Sequence, residues 1–193
     1  MYDGDDHTQK HFIKHIDDIT SMAFSSDKRV VATGEIGPKP SIYIWDALTM
    51  QELFQIKGKQ KKGIQALSFS PSGKYLAAVA IDVDHHVAIY DTSTGTCLAL
   101  SKGDGNAIVD VAMKNDTQFA TVGVRHFKEW TYKNGALKSK RGKFQRGKYS
   151  NMVVSIQTYK NGYVSGTLKG EVLLWNGTSV TKCIKGKHKG PVD

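Results

Sequence analysis

A short pattern of alternating small and large apolar residues, ending on an aromatic–acid pair or a close variant, occurs four times in this chain. The alternation is that of a buried β-strand with a marked end. The four aromatic residues follow one another in steps of 45, 40 and 45 residues. A repeat of roughly 40–45 residues with this ending is typical of the four-stranded blades of a β-propeller. The aromatic residues are Trp45, Tyr90, Trp130 and Trp175, and the four copies span 41–46, 86–91, 126–131 and 171–176.

The residues around each copy supply three further strands separated by turn-forming sequences. Examples are Ser26-Asp27-Lys28, Pro71-Ser72-Gly73 and the hairpin pair Asn134-Gly135. We therefore predict an all-β propeller segment of about four antiparallel blades. The predicted blades span about 15–58, 59–103, 104–143 and 144–186, after which a further blade begins; residues 1–14 are expected to hold a tail and the outer strand of a preceding blade.

Four blades in a row leave two sheet faces without a neighbour. Closed propellers typically have about 4–8 blades, and unpaired sheets tend to find a partner. We expect this chain to be a segment of a larger ring, or to close with another chain or with its own N-terminal strand.

The composition excludes some classes of protein. No run approaches the ~18–20 apolar residues that a membrane span requires, and the first six residues are acidic rather than signal-like. The two cysteines, Cys97 and Cys183, fall in the outer strands of different predicted blades, so reduced thiols are expected rather than a disulfide framework. These features predict a soluble intracellular protein without a membrane partner.

Charge is distributed unevenly along the chain. Residues 1–56 carry 5 Lys and Arg against 9 Asp and Glu, whereas the whole chain carries 27 against 18, so residues 57–193 carry a net +13. The densest basic stretch contains no acidic residue. It spans 133–148 and holds Lys133, Lys138, Lys140, Arg141, Lys143, Arg146 and Lys148. A second cluster is Lys57, Lys59, Lys61 and Lys62, and a third is Lys182, Lys185, Lys187 and Lys189.

Two interpretations of these basic clusters remain open. Runs of charge usually do no more than keep a surface solvated. Alternatively, the lysines and arginines attract an acidic partner, raise its encounter rate and neutralise its carboxylates. If the clusters recur at one place in each blade, they gather on one rim.

The chain resembles the WD40 repeat family. The resemblance lies in the Lys14-His15 and Lys187-His188 pairs, in Ala23-Phe24-Ser25 and Ser68-Phe69-Ser70, and in the Trp-Asp or Tyr-Asp endings. It implies a structural network of His, Ser or Thr, Asp and Trp in each blade. His15, Thr33 and Trp45 match it in the first blade, but the turn at 37–40 lacks the expected Asp, so the network is expected to be incomplete. The resemblance also implies structural roles for Asp46, Tyr90, Asp91, Trp130 and Trp175.

Within that family, the chain is most similar to the echinoderm microtubule-associated protein-like proteins. The similarity rests on residues 9–19, on Asp84-His85-His86-Val87, on Lys143-Phe144 and on residues 170–177. It implies tandem propellers that bind tubulin, associate with microtubules and regulate their organisation, in the cytoplasm and on the cytoskeleton. The acidic tails of tubulin would then meet the basic rim.

Catalytic and metal-binding patterns are not found in the sequence. Gly103-Asp104-Gly105 lacks the third glycine of a dinucleotide loop and precedes a strand rather than a helix. His85 and His86 are adjacent and would point to opposite faces of a strand, which disfavours a shared metal ion. The sequence therefore predicts a binding protein without cofactor or metal. The alternatives are a generic protein-interaction scaffold and, less favoured, an RNA-binding propeller, for which aromatic residues such as Phe144 and Tyr149 would have to interleave with the charges.

Overall fold

The computed structural model describes residues 11–57, 59–145, 147–186 and 188–192. These residues form sixteen β-strands and no helix that could cross a membrane. In chain order the strands are β1 (Ile19–Phe24), β2 (Val30–Glu35), β3 (Ser41–Asp46), β4 (Glu52–Lys57), β5 (Ile64–Phe69), β6 (Tyr75–Ala80), β7 (Val87–Asp91), β8 (Cys97–Ser101), β9 (Ile108–Met113), β10 (Gln118–Gly123), β11 (His126–Lys133), β12 (Ala136–Arg141), β13 (Val153–Tyr159), β14 (Gly162–Thr167), β15 (Val172–Asn176) and β16 (Ser179–Ile184).

The strands pair into four antiparallel sheets, each of four strands that follow one another in the chain. We name the sheets blades one to four. This arrangement confirms the predicted four four-stranded antiparallel blades. The exact division of the chain into blade domains stays a prediction.

Burial within each blade follows the position of the strand. The second strands are almost entirely buried, as in β6, where five of the six residues are inaccessible to solvent. The outermost strands are more exposed, most clearly in β12, where five of the six residues are exposed. Small and β-branched residues fill the central strands because both of their faces pack against neighbouring blades.

The core lies between the blades rather than inside any one of them. One apolar cluster joins blades one and two, the next joins blades two and three, and the last joins blades three and four. The first strands β1, β5, β9 and β13 are neighbours in that order. Matching positions of neighbouring first strands meet, so these strands run in the same direction: Thr20 of β1 binds Ile64 of β5 near both starts, Met113 of β9 binds Ser68 of β5 near both ends, and Ile156 of β13 binds Asp110 in the middle of β9.

A backbone hydrogen bond recurs at the same point of every blade. The residue after each second strand donates its N–H to a carbonyl just before the first strand of the same blade, at 2.9–3.0 Å. We call the residues before each first strand the lead-in of that blade. The four pairs are Ile36 to Asp18, Ile81 to Gly63, Val124 to Ala107 and Leu168 to Met152. The lead-ins and the loops after the second strands therefore share one face of the arc, which we call the top face.

The predicted N-terminal outer strand is only partly within the described residues. Residues 8–10 of that prediction lie outside them, and residues 11–14 are not in a strand. Instead the ring of Phe12 stacks on Trp45, with ring centres 5.0 Å apart, and meets Tyr43 edge-on. Aromatic packing, rather than a sheet ladder, holds this segment against the open side of blade one. The two cysteines are free thiols.

Candidate functional site

The aspartates of the Trp-Asp and Tyr-Asp pairs shape the turns that follow. Asp46 accepts hydrogen bonds from the backbone N–H groups of Leu48 and Thr49 at 3.0 and 2.7 Å. Asp91 accepts equivalent bonds from Ser93 and Thr94 at 2.9 and 3.2 Å. The bonds from Thr49 lower the pKa of Asp46, and the bond from the Ser93 hydroxyl, with the backbone bonds, lowers the pKa of Asp91; both carboxylates therefore stay ionised and cap the turns.

A complete hydrogen-bond network crosses blade one. The indole N–H of Trp45 donates to the Thr33 hydroxyl at 3.1 Å, which lies 2.7 Å from Nε2 of His15. The other ring nitrogen of His15 lies 2.8 Å from the Glu35 carboxylate. The expectation that this network is incomplete was wrong, because Glu35 reaches the histidine from the last position of β2. The family pattern places an aspartate in the following turn, whereas the longer glutamate side chain allows the acid to stand earlier.

The carboxylate of Glu35 is held on several sides. It also accepts hydrogen bonds from the backbone N–H groups of Ser41 at 2.9 Å and Ile16 at 3.2 Å. Burial alone would raise its pKa, but the bonds from His15, Ser41 and Ile16 outweigh burial, and the pKa is lowered. The lead-in of blade one is thereby fastened to β2 and β3.

Blade three contains the same chain of groups with the acid and the histidine exchanged in position. The Trp130 indole N–H donates to Thr121 at 2.8 Å, and Thr121 lies 2.7 Å from His126 Nε2. His126 Nδ1 lies 3.1 Å from Asp104. Here the acid stands in the lead-in and the histidine begins β11, whereas in blade one the histidine stands in the lead-in. Neither Asp104 nor His126 was predicted as a network residue, although a lone Asp between two glycines and a His at a strand start were available signals.

Asp104 is also the centre of a charged cluster. Its carboxylate lies 3.2 Å from the Arg141 guanidinium and 3.4 Å from the Lys128 amine. Burial opposes ionisation, but the backbone bond from Asn106 and the neighbouring His126 and Lys128 hold the pKa of Asp104 far below its usual range. Burial also lowers the pKa of His126 to about 4, so this imidazole is neutral at neutral pH. The cluster links β11, β12 and the lead-in of blade three.

Blades two and four use other partners for the same aromatic position. The Tyr90 hydroxyl donates to the side-chain oxygen of Gln60 at 3.1 Å, and the Gln60 amide donates to the Ala78 carbonyl at 3.1 Å. The Trp175 indole donates to Ser165 at 2.9 Å. In blade four Glu171 accepts from the backbone N–H of Ser150, which lies in the lead-in. Every lead-in is thus tied to the central strands of its blade, so the top face is a rigid surface.

The basic stretch at 133–148 follows the outer edge of blade three and then crosses toward blade four. We call its described part the basic edge: Lys133, Lys138, Lys140, Arg141, Lys143 and Lys148, all of which are exposed. Arg146 lies outside the described residues. Lys143 donates its backbone N–H to Thr178 at 2.9 Å and pairs with Ser179, the first residue of β16. The basic edge therefore spans two blades.

The members of the basic edge differ in their partners. Arg141 binds Asp104, so it has a structural role besides any contact with a partner. Lys140 lies opposite Glu129 in the β11–β12 ladder. Among the described residues, none of the ion pairs involves Lys138, Lys140, Lys143 or Lys148. These four side chains, together with the exposed Lys133, which is also in none of those ion pairs, are the ones best placed to meet an acidic partner.

The second basic cluster lies on the top face between blades one and two. Lys59, Lys61 and Lys62 stand on the connection from β4 to β5 and are exposed. In the third cluster, Lys182 and Lys189 are exposed, Lys185 pairs with Glu171 at 3.2 Å, and Lys187 lies outside the described residues. The second cluster therefore lies at the junction of blades one and two, whereas the basic edge runs from blade three to blade four.

The aromatic residues near the basic edge are engaged in packing. Phe144 meets Trp175 edge-on, with ring centres 5.4 Å apart, and lies 6.3 Å from Tyr149. Both rings pack against the apolar cluster between blades three and four. They therefore do not form a projecting platform on which bases would stack.

The paired histidines are also engaged separately. His86 Nδ1 lies 3.0 Å from the Asp82 carboxylate, whereas His85 Nδ1 lies 3.0 Å from the Asp104 carbonyl oxygen. Within the part of the chain that the structure describes, no group of three His, Cys, Asp or Glu residues is arranged to hold a metal ion. The expectation of a metal-free protein stays a prediction.

Comparison with known proteins gives consistent matches over nearly the whole chain. A family model described as the first beta-propeller of echinoderm microtubule-associated protein matches residues 8–193. The chain is 28% identical to the 77 kDa echinoderm microtubule-associated protein of Strongylocentrotus purpuratus, over 100% of this chain and 30% of that protein. It is 31% identical to the ciliary WD repeat-containing protein ctxp80 of Euplotoides octocarinatus, over 91% of this chain and 25% of that protein. The chain spans less than a third of the length of these relatives.

A solved structure supports the architecture. The beta-propeller domain of Myceliophteria thermophila Cps50 (Swd1) matches with a TM-score of 0.75 and 18% sequence identity, covering 92% of this chain and 58% of that chain. At this identity the likeness concerns the fold alone. The predicted β-propeller fold is confirmed.

Proposed function

Because the chain belongs to the echinoderm microtubule-associated protein family, within its first propeller, we propose that it binds tubulin without catalysing a reaction and helps to organise microtubules. In this proposal it works in the cytoplasm on the cytoskeleton. The observation that carries the proposal is the row of exposed lysines on the basic edge without ion-pair partners among the described residues. The family supplies the partner, and the basic edge supplies a chemical reason for the contact.

The proposed mechanism is electrostatic docking onto a rigid support. Acidic tubulin tails meet Lys138, Lys140, Lys143 and Lys148, which are held on the outer strands and the crossing segment of blades three and four. Positive charge on a fixed surface raises the encounter rate with an acidic partner. Because these side chains are exposed, salt should weaken the contact strongly.

Two other functions are less well supported. A generic scaffold for other proteins would use the top face, where the lead-ins form a rigid platform. An RNA-binding role would need accessible aromatic rings among the lysines, whereas Phe144 and Tyr149 pack inward. Tubulin, rather than nucleic acid, is therefore the partner that we propose.

The test is microtubule co-sedimentation with a charge-reversed basic edge. The triple variant Lys138→Glu, Lys140→Glu, Lys143→Glu leaves Arg141 in place, since Arg141 holds Asp104. We expect at least about a tenfold loss of microtubule affinity, in line with the reversal of three exposed charges. The matched control is Lys28→Glu, Lys74→Glu, Lys160→Glu, three exposed lysines in turns on the face opposite the top face.

The two variants carry the same net charge, so they separate site from overall charge. An affinity that stays at the wild-type level in the basic-edge variant removes this surface from the proposal. A binding preference for RNA over microtubules at matched salt would favour the nucleic-acid alternative instead.

A further inference from the structure

Two adjoining cavities form one groove on the top face at the junction of blades one and two. The first has a volume of about 540 Å³ and the second about 470 Å³. They share three lining residues, Pro38, Lys59 and Lys61, so the cavities are continuous. We call this feature the junction groove.

The lining of the junction groove is rich in lysine. Lys39 and Lys57 line the first cavity in addition to the shared lysines, and Lys62 lines the second. All five lysines are exposed. Within the described residues, none of them takes part in an ion pair. The groove therefore presents five ammonium groups whose charge is not offset by a bonded acid.

The acidic residues that line the groove are already engaged. Glu35 binds His15 and two backbone N–H groups. Asp82 binds His86, and Asp84 pairs with Lys102 at 3.0 Å. These carboxylates are therefore poor competitors for the groove lysines, and a carboxylate from outside would be the better partner.

The groove also has an apolar part and a fixed backbone. Pro38 and Val83 line the second cavity, and Val83 is 75% exposed. Lys62 and Gly63 are clamped between the blades, since Gly37 donates to Lys62 O at 3.1 Å and Ile81 donates to Gly63 O at 3.0 Å. A site whose backbone is fixed in advance loses less entropy when a ligand binds.

We propose that the junction groove binds a linear acidic peptide in which consecutive carboxylates adjoin one large apolar side chain. The carboxylates bind Lys59, Lys61 and the neighbouring lysines, and the apolar side chain packs on Pro38 and Val83. This inference deepens the proposed function, because a tubulin tail is one acidic peptide, but it assigns a defined site with a sequence preference. The contact thus differs from the diffuse attraction of the basic edge.

The test measures peptide binding to the 193-residue chain by fluorescence anisotropy at fixed salt. The probe is a labelled Glu-Glu-Glu-Glu-Phe peptide, compared with Glu-Glu-Glu-Glu-Gly and Gln-Gln-Gln-Gln-Phe. We expect the first peptide to bind best. Lys59→Glu with Lys61→Glu should weaken it at least about tenfold, whereas the exposed pair Lys28→Glu with Lys160→Glu should change it less than about twofold.

A second variant tests the apolar contact without changing charge. Val83→Ser should weaken the Phe peptide about threefold and leave the Gly peptide unchanged, because only the Phe ring uses that surface. Equal losses in the groove variant and in the opposite-face control would overturn the proposal in favour of diffuse charge. Tripolyphosphate that displaces the peptide and binds independently of Val83 would overturn it in favour of a phosphate site.

The same variants distinguish this inference from the proposed function. If the peptide does not bind in the groove but the basic-edge triple variant still loses microtubule affinity, only the assignment of the groove is wrong. Conversely, the Lys59→Glu, Lys61→Glu variant could lose the peptide but still co-sediment with microtubules like the wild type. That result supports the peptide site and assigns it to an acidic partner other than tubulin.

Discussion

The hydrogen bonds of the blade three network run in one direction when His126 is neutral. Trp130 donates to Thr121, Thr121 can donate to Nε2 of His126, and Nδ1–H of His126 can donate to Asp104. Each donor then has one acceptor. Protonation of the imidazole would place a donor on each side of the Thr121 hydroxyl, the Trp130 indole N–H and the His126 Nε2–H, and would leave that hydroxyl without an acceptor for its own proton. The geometry and the low pKa of His126, about 4, therefore agree.

This pairing predicts a loss of stability in mild acid. The pKa of His126 is about 4 in the folded chain against 6.5 for an ordinary histidine, so the unfolded state binds more protons between these values. The free energy of unfolding should then fall as pH decreases from 6.5 to 4, by up to roughly 1.4 kcal/mol per pH unit. Below that range the lowered pKa of Asp104 adds a loss of the same sign. Urea unfolding from pH 7.5 to 4.5 measures the slope.

The substitution that isolates this effect is His126→Gln. It should lower stability at pH 7.5, because the buried network is broken, but it should flatten the pH dependence between 6.5 and 4. His188→Gln, at an exposed histidine, should keep the wild-type slope. A His126→Gln variant with an unchanged slope would assign the acid sensitivity to other groups.

The residues of these networks were predictable only in part. Trp45, Thr33 and His15 could be found because they match a known pattern in sequence order. Asp104 and His126 do not match that pattern, because the acid and the histidine have exchanged places along the chain while keeping the same contacts; the surrounding glycines and the strand start were the only signals for them. Gln60 and Tyr90 illustrate the same limit, because a neutral amide and a phenol replace the usual groups. Each blade therefore keeps a hydrogen-bonded contact between its lead-in and its central strands, although the residues that make the contact differ from blade to blade.

At the scale of the strands, the alternation of the sequence determines most of the structure. The four repeat copies predicted at 41–46, 86–91, 126–131 and 171–176 match β3, β7, β11 and β15 to within two residues at either end, because turn formers separate short strands of regular pattern. The contacts between elements were not accessible in this way. Arg141 was grouped with the other basic residues, yet it bonds to Asp104, which lies 37 positions earlier. Only the fold brings the end of β12 to the lead-in of its blade.

The end of β10 shows how closely two elements approach. A Cβ atom at Gly123 would overlap the Ala107 carbonyl oxygen and lie 2.9 Å from Cα of Ile108. Both neighbours are backbone atoms of the lead-in and of β9, so neither can move aside freely. We expect Gly123→Ala to lower the free energy of unfolding by roughly 1–3 kcal/mol, measured by urea denaturation.

The control for this substitution lies in the same lead-in. A Cβ atom at Gly105 would meet no heavy atom within 4 Å, and the backbone there has no left-handed φ. Gly105→Ala should therefore leave stability within about 0.5 kcal/mol of the wild type. Similar losses at both positions would mean that the lead-in responds to any added methyl group and that the Ala107 contact is not the cause.

At the scale of the whole molecule, the blades form a one-dimensional stack. Each apolar cluster joins only two adjacent blades, so stability is shared among neighbouring interfaces rather than stored in one centre. The sequence predicted this stacking through its period. It could not predict where the charge accumulates, because the +13 of residues 57–193 is divided by the fold between the junction groove, the basic edge and pairs such as Lys185 with Glu171.

A cavity at the middle interface should separate the arc into two pairs of blades. Ile89 is fully buried in the cluster between blades two and three, so Ile89→Ala should cost about 2–5 kcal/mol. In a one-dimensional stack that loss weakens the coupling of blades one and two to blades three and four. Native-state hydrogen exchange should then report different opening free energies for β6 and β14, whereas Leu100→Ala, at a side chain 40% exposed, should keep them together. Equal loss of protection in all four blades after Ile89→Ala would show instead that the arc opens as one cooperative unit.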